Sequence, residues 1–262
     1  MKSKGYITYL KQIRKTNILV FITQLCLLIF LIFLWQFAAN HNLINTFITS
    51  SPKHVLNTII SLYNEHNLWH HIWITTYETI ISFLLGTIFG IVIAIILWYN
   101  PFLERVVDPY LTILNSLPKV SLGPILIIWV GANTNSIITM ALLISLIVTI
   151  ITVYNGFIST DINKIKLLKS LKANKFQMLR YLILPENYKT IISSLKINIS
   201  MSLIGVIMGE LLVSKSGIGY LIMYGSQVFN LDLVITGIII LMIVSYVMYL
   251  LVSYLEKILI KH

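Results

Sequence analysis

The sequence predicts an all-α integral membrane protein with six spanning helices, and three observations carry that prediction. First, the chain of 262 residues is 57% hydrophobic and 11% charged, with a mean hydropathy of +0.87. Soluble domains carry about a quarter of their residues as charges. Second, six apolar runs each reach the roughly 20 residues that a spanning helix needs. Third, the basic residues between those runs fall almost entirely on alternate loops. The net charge of +10 is scattered between apolar runs, with no soluble domain to carry a groove, which excludes nucleic acid as a partner. The single cysteine, Cys26, lies inside an apolar run, so neither an intrachain disulfide nor a cysteine metal site is available.

The elements follow in order. Residues 1–17 form a basic tail, and one membrane domain takes up 18–262. The first span, 18–39, is longer than a signal-peptide core and is read as retained. The loop 40–72 holds Ser51 before Pro52, a good helix start, with Val55, Ile59 and Leu62 on one face, so a short interfacial helix is expected there. The second span, 73–98, contains Gly86 and Gly90 at the spacing that allows close helix packing. The third, 111–131, contains Pro118, Lys119, Gly123 and Pro124, whose prolines free backbone carbonyls. "GANTNS" supplies a polar turn at 131–136 before the fourth span, 135–156. The fifth and sixth spans are read at 191–213 and 233–255. The loop between them, 214–232, has three glycines and is mildly apolar, as a segment re-entering the membrane edge would be.

Orientation follows from charge. Of nineteen Lys and Arg residues, fifteen lie in the two tails, the 99–110 loop and the stretch 157–190, against Lys53 and Lys215 on the other side. Basic loops stay cytoplasmic, so both termini and the stretch 157–190 are expected inside.

That stretch contains "KSLKANKFQMLRYLILPENYKT" and two short amphipathic patterns. Ile162, Ile165, Leu168 and Leu171 recur every three residues among lysines; Phe176, Leu179 and Ile183 follow at three and four. A break is expected at 173–175, with Asn174 in the left-handed turn, and Pro185 is expected to end or bend the second helix. A basic amphipathic pair either rests on anionic lipid or lies in a groove of a soluble partner.

Ionisable residues inside spans are costly and face the bundle interior or reach back to the headgroups. Lys119 is placed either to attract an anion or to extend toward the cytoplasmic surface. Glu210 lies at the outer end of span five, as part of the outer gate or the dimer contact, or as a hydrated headgroup-level carboxylate. Glu78 reads as a structural anchor, and Lys196 as a lysine reaching back to the inner surface. His66, His70 and His71 read as interfacial histidines rather than metal ligands. Trp69, Trp73, Trp98 and Trp129 sit near span ends, as an aromatic belt requires.

Several of these stretches resemble the permease subunits of bacterial ABC importers, more narrowly the nitrate/sulfonate/taurine type. "LPKVSLGPILIIWVG" at 117–131 resembles that family's Pro-containing third span, and "GELL" at 209–212 and "SGIGYLI" at 216–222 match the region after its fifth. The closing Ile183-Leu184-Pro185 matches the family's coupling loop, whereas Lys166-Leu167-Leu168 stand where it has Glu-Ala-Ala and Lys172 stands where it has Gly. The resemblance implies a MetI-like fold and alternating access. It also implies a homodimer of permeases, two ATPase subunits beneath it, and an extracytoplasmic binding protein at its mouth, in a bacterial inner membrane. It assigns ATPase coupling to Lys166, Leu167, Leu168, Leu171, Lys172, Ala173, Phe176, Leu179 and Pro185, and the in-span residues Pro118, Lys119, Pro124 and Glu210 are the pathway or gate candidates. No Walker GxxxxGK[ST] motif and no catalytic constellation is present, so ATP and Mg are expected on the partner chain and no cofactor in this one. The solute is expected to be small and anionic, sulfonate-, nitrate- or taurine-like, with a vitamin precursor or other heterocycle as the alternative. A transporter working without ATP would need ion relays, and the spans hold few acids.

Overall fold

A computed structural model describes residues 4–65 and 67–260, and every described element is helical. Helix α1 (Lys4–Asn40) leads through a short α2 (Thr46–Thr49) to α3 (Pro52–Asn64). Then come α4 (Leu68–Tyr99), α5 (Pro101–Ser116), a 3₁₀ turn (Lys119–Leu122) and α6 (Gly123–Val130). Helix α7 (Thr134–Ile158) is followed by α8 (Ile162–Ser170), α9 (Lys175–Met178), a π turn (Leu179–Ile183) and α10 (Leu184–Glu186). The chain ends with α11 (Tyr188–Val213), α12 (Ile218–Gln227) and α13 (Leu231–Ile260).

Five helices are long and apolar enough to cross a membrane, six if α5 and α6 together make one crossing. The third crossing is where the sequence reading needs correction. Instead of one helix over 111–131, the structure has α5, which already begins at Pro101, and the 119–130 segment, which meet at 97°. Pro118 has no N–H to continue the helix and biases Leu117 away from helical dihedrals, so Leu117 is extended (φ −65°, ψ 140°). The chain restarts with Pro124 in the first turn of α6, where a missing N–H costs nothing. The other long helices overrun the expected spans; α4, at 32 residues, is about 48 Å long and extends past a 30 Å hydrocarbon core.

Helix α7 is the most enclosed and packs against both α4 and α11. In hydrocarbon the hydrophobic effect does not draw helices together, so close backbone approach must do so. Small residues supply it. Gly86 and Gly90 of α4 lie against Ser145 and Thr149 of α7, and Gly205 and Gly209 of α11 lie against Ala141 and Ile137. The GxxxG read from sequence is therefore a contact within this chain.

The two ends of the bundle are built differently. At one, Leu68, Ile218 and Ile240 gather Ile59 and Leu62 of α3, the face expected of an interfacial helix. Ser51 caps α3 by accepting the His54 N–H at 3.2 Å, with Pro52 following. The glycine-rich 214–232 link does not loop back as irregular backbone; it forms α12, with Ile218, Gly219 and Leu221 buried. At the other end, Ala94, Val153 and Phe157 at the ends of α4 and α7 pack on Leu179, Leu182 and Ile183.

Candidate functional site

The α8–α10 segment has two faces. Leu168 and Ile165 pack onto the Phe157–Ile183 cluster, and Leu179 is 8% exposed within it. On the outside stand Leu167, Leu171 and Phe176, each more than half exposed, among Lys166, Lys169 and Lys172. The sequence grouped Phe176, Leu179 and Ile183 on one stripe. The structure separates Phe176 from the other two: Phe176 stands outward on α9, whereas Leu179 and Ile183, both within the π turn, are buried. Pro185 does not end the helical path either. The wider π turn accommodates the residue without an N–H, and Asn187 then closes the turn, donating from Nδ2 to the Ile183 carbonyl (2.9 Å) and to Thr160 Oγ1 (2.8 Å).

The joint between α8 and α9 shows why the sequence looks as it does. The Lys172 N–H donates to the Lys169 carbonyl at 3.0 Å and the Ala173 N–H to the Leu168 carbonyl at 3.0 Å. That pair of bonds is the Schellman helix ending, whose C′ residue takes a left-handed conformation. Lys172 occupies it, with φ +58°. Asn174, expected to be the left-handed residue, instead caps α9: its side chain accepts the Gln177 N–H while the Gln177 side chain accepts the Asn174 N–H, both at 2.8 Å. The Lys164–Glu186 ion pair at 2.6 Å closes the segment on itself, from α8 to α10, and Lys175 Nζ ties it to α4 by donating to the Tyr99 carbonyl at 3.0 Å. Beside Glu186, the exposed Lys164 ammonium is held above its ordinary pKa.

At the opposite end, three side chains from other helices satisfy the first N–H groups around α12. His71 Nδ1 accepts from Gly217 (2.9 Å), Thr75 Oγ1 from Ile218 (2.8 Å), and Glu210 Oε2 from Gly219 (2.6 Å). Thr75 in turn donates to Glu210 Oε1 at 2.6 Å. A carboxylate at a helix N-terminus faces the positive end of the dipole as well as the donors. Gly217 sits at φ +108°, and a Cβ there would press into the Glu210 carboxylate. Beside Glu210 lies Glu78, 1% exposed, its two oxygens without a hydrogen-bond partner among the described residues.

Residues 86–261 match the family of binding-protein-dependent transport system inner membrane components. The chain belongs to that family. This permease is similar to a probable ABC transporter permease protein of Haemophilus influenzae, 28% identical over 86% of this chain and 91% of the relative. It is similar also to the putative aliphatic sulfonates transport permease protein SsuC of Bacillus subtilis, 27% identical over 88% and 84%. Among solved structures, an inward-facing MetNI methionine ABC transporter superposes with a TM-score of 0.64, at 20% identity, over 73% of this chain and 95% of that one. The fold is that of MetI-like permeases, a multi-pass membrane protein.

The structure gives positions to the residues singled out in the permease sequence. Glu210 is not a hydrated carboxylate at headgroup level; it is 1% exposed and engaged by α4 and α12. Lys119 folds back over the end of α5, donating from Nζ to the Asn115 carbonyl at 2.9 Å, which sets its charge at the negative end of that helix. Lys196 pairs with Glu256, one turn from the end of α13, and Glu256 also accepts from Ser193 Oγ at 3.0 Å. Pro118, Lys119 and Pro124 share the bend, while Glu210 joins the α12 cap, so the four gate candidates do not meet at one place. Leu168 and Leu179 face the bundle, and the outward set is Lys166, Leu167, Leu171, Lys172 and Phe176, with Pro185 exposed and Ala173 at the joint. His66 lies outside the described residues; among these no cluster could hold a metal ion. Sequence reasoning missed Thr75 and Glu256 and the capping role of His71, because their partners lie 143, 63 and 146 positions away.

Proposed function

We propose that the chain is the membrane subunit of an ATP-driven importer for small sulfonate-like anions, two copies of it forming the pathway. Both termini and the α8–α10 segment face the cytoplasm, where each copy rests on one ATPase subunit that hydrolyses ATP. An extracytoplasmic binding protein delivers the solute at the α3–α12 end of a bacterial inner membrane. The sulfonate class rests on the likeness to a sulfonate permease.

One observation carries the coupling role. The α8–α10 segment is clamped to the span bundle on one side and presents Leu167, Leu171 and Phe176 within a basic rim on the other. A helix pair with an apolar stripe outward and its back packed onto two spans passes a push on the stripe to α4 and α7. Leu167→Asp with Phe176→Asp should leave the permease folded and abolish co-purification with its ATPase. Undiminished recovery of the ATPase with this double variant would refute the coupling role. Uptake of ethanesulfonate by the reconstituted importer tests the solute class, and the absence of uptake for every sulfonate offered would refute it.

A further inference from the structure

The α3–α12 end carries an open cavity of about 550 Å³, and its polar wall is unusual for a chain this apolar. Glu65 at the end of α3, His71 of α4, Lys215 in the link before α12, and Tyr220 and Tyr224 of α12 all line it. His71 is oriented by the cap described above. Its Nδ1 accepts the Gly217 N–H, so the ring proton sits on Nε2. That Nε2–H has no acceptor among the described residues. Tyr220 stacks on His71 and Tyr224 on Tyr220, each pair of centroids 5.9 Å apart, which fixes one wall of the cavity.

Two full charges of opposite sign line the same space without closing on each other. Lys215 makes no ion pair among the described residues, and neither does Glu65, whose carboxylate accepts only the Ser61 hydroxyl at 3.3 Å. A neutral or singly charged guest leaves one of them unanswered. A guest with an anionic head and a protonated amine answers both, through charge-assisted hydrogen bonds.

We propose that this cavity is a receiving site for small zwitterions of the aminosulfonate or amino-acid type. The anionic head lies at Lys215 and the His71 Nε2–H, and the ammonium at Glu65. The proposal rests on the reading of the chain as a sulfonate permease. The volume exceeds that of a two-carbon aminosulfonate, so ordered water completes the contacts and binding is weak, as a site that passes its guest onward requires.

The test uses the full-length permease in lipid nanodiscs, without a binding protein, and radiolabelled taurine as the probe. Saturable binding is expected, weakened at least fivefold by Lys215→Ala and by Glu65→Gln and restored by Lys215→Arg. Both side chains are exposed, so these variants keep the fold. Unlabelled ethanesulfonate should compete through Lys215 alone, and so should compete less well than taurine in the unaltered chain and equally in Glu65→Gln. Absence of saturable taurine binding, or binding indifferent to both substitutions, overturns the site. Equal competition by ethanesulfonate in the unaltered chain overturns the zwitterion class. Uptake by the complete importer is read separately. Sulfonate uptake without binding to the permease alone removes the cavity site and keeps the transport reading; binding without any sulfonate uptake does the reverse.

Discussion

Lys172 stands at a backbone position that an L-residue enters at a cost of about 1–2 kcal/mol, and the Schellman bonds around it hold it there. Lys172→Gly should therefore raise stability by about 0.5–1 kcal/mol, the relieved strain less the larger unfolded-state entropy of glycine. Lys172→Ala keeps a Cβ and should give no such gain. Thermal melting of the two variants in detergent checks the contrast, and resistance of residues 169–175 to limited proteolysis checks its location. Glu210 makes a second residue-scale case. Removing its carboxylate in Glu210→Ala leaves the Gly219 N–H and the Thr75 hydroxyl buried without acceptors, a loss of about 1–3 kcal/mol. Glu210→Gln keeps one carbonyl oxygen, and the Thr75 hydroxyl can turn to accept from the new amide, so its melting point should fall by less. At this scale the sequence was least legible. "GELL" and "SGIG" marked where chemistry lay, but nothing in them announced that Thr75 and His71 would join the cap from 143 and 146 residues away.

Among the elements, what the sequence disclosed depended on how local the cause was. The start of α3 at Ser51-Pro52, the turn at Gly131–Ser136 and the interruption near residue 173 are set by neighbouring side chains, and each appears where it was read. Asn133 caps α7 through the Asn135 and Ser136 N–H groups, at 2.8 and 3.3 Å. The 97° break at Pro118 needed one fact more than the presence of proline: whether the surroundings would straighten or fold the chain. Likewise, nothing in the regular spacing of Phe176, Leu179 and Ile183 marks the π turn at 179–183. The α7–α11 contact yields a prediction of its own. A Cβ at Gly205 would run into the Ala141 backbone, which cannot rotate away as a side chain can. Gly205→Leu must part the helices and should cost at least the 1–3 kcal/mol typical of overpacking, read as lost yield and a lowered melting temperature. Ile204→Leu, on the exposed neighbouring position, should leave both unchanged.

For the whole molecule, the basic rim on α8–α10 sets a condition on its partner. Lys166, Lys169 and Lys172 surround the outward apolar stripe, and the ion pair of Lys164 with Glu186 leaves Lys164 committed within the chain. A groove that accepts the rim needs acidic residues facing it, since like charges across an interface cost several kcal/mol. Lys166→Glu should cut solute-stimulated ATP hydrolysis by the chain's own importer at least tenfold in proteoliposomes. An ATPase taken from a related importer that presents a Glu-facing groove should couple poorly to the unaltered permease and better to Lys166→Glu. Normal coupling of that foreign ATPase to the unaltered chain would refute the charge argument.

Helix α1 has one more implication. The most apolar stretch of α1 has no residue buried within the chain, and among the described residues its one side-chain bond to a later element runs from the Lys53 N–H to Gln36 Oε1 at 3.1 Å. The bundle of α4, α7, α11 and α13 is assembled without it. Most of α1 is thus modular: a different apolar helix could replace it up to its last turn, where Ala39 is buried, and leave the contacts among α4, α7, α11 and α13 in place. The outward surface of α1 is then free to diversify under its own selection, while α7, hemmed in by glycines on both sides, is not.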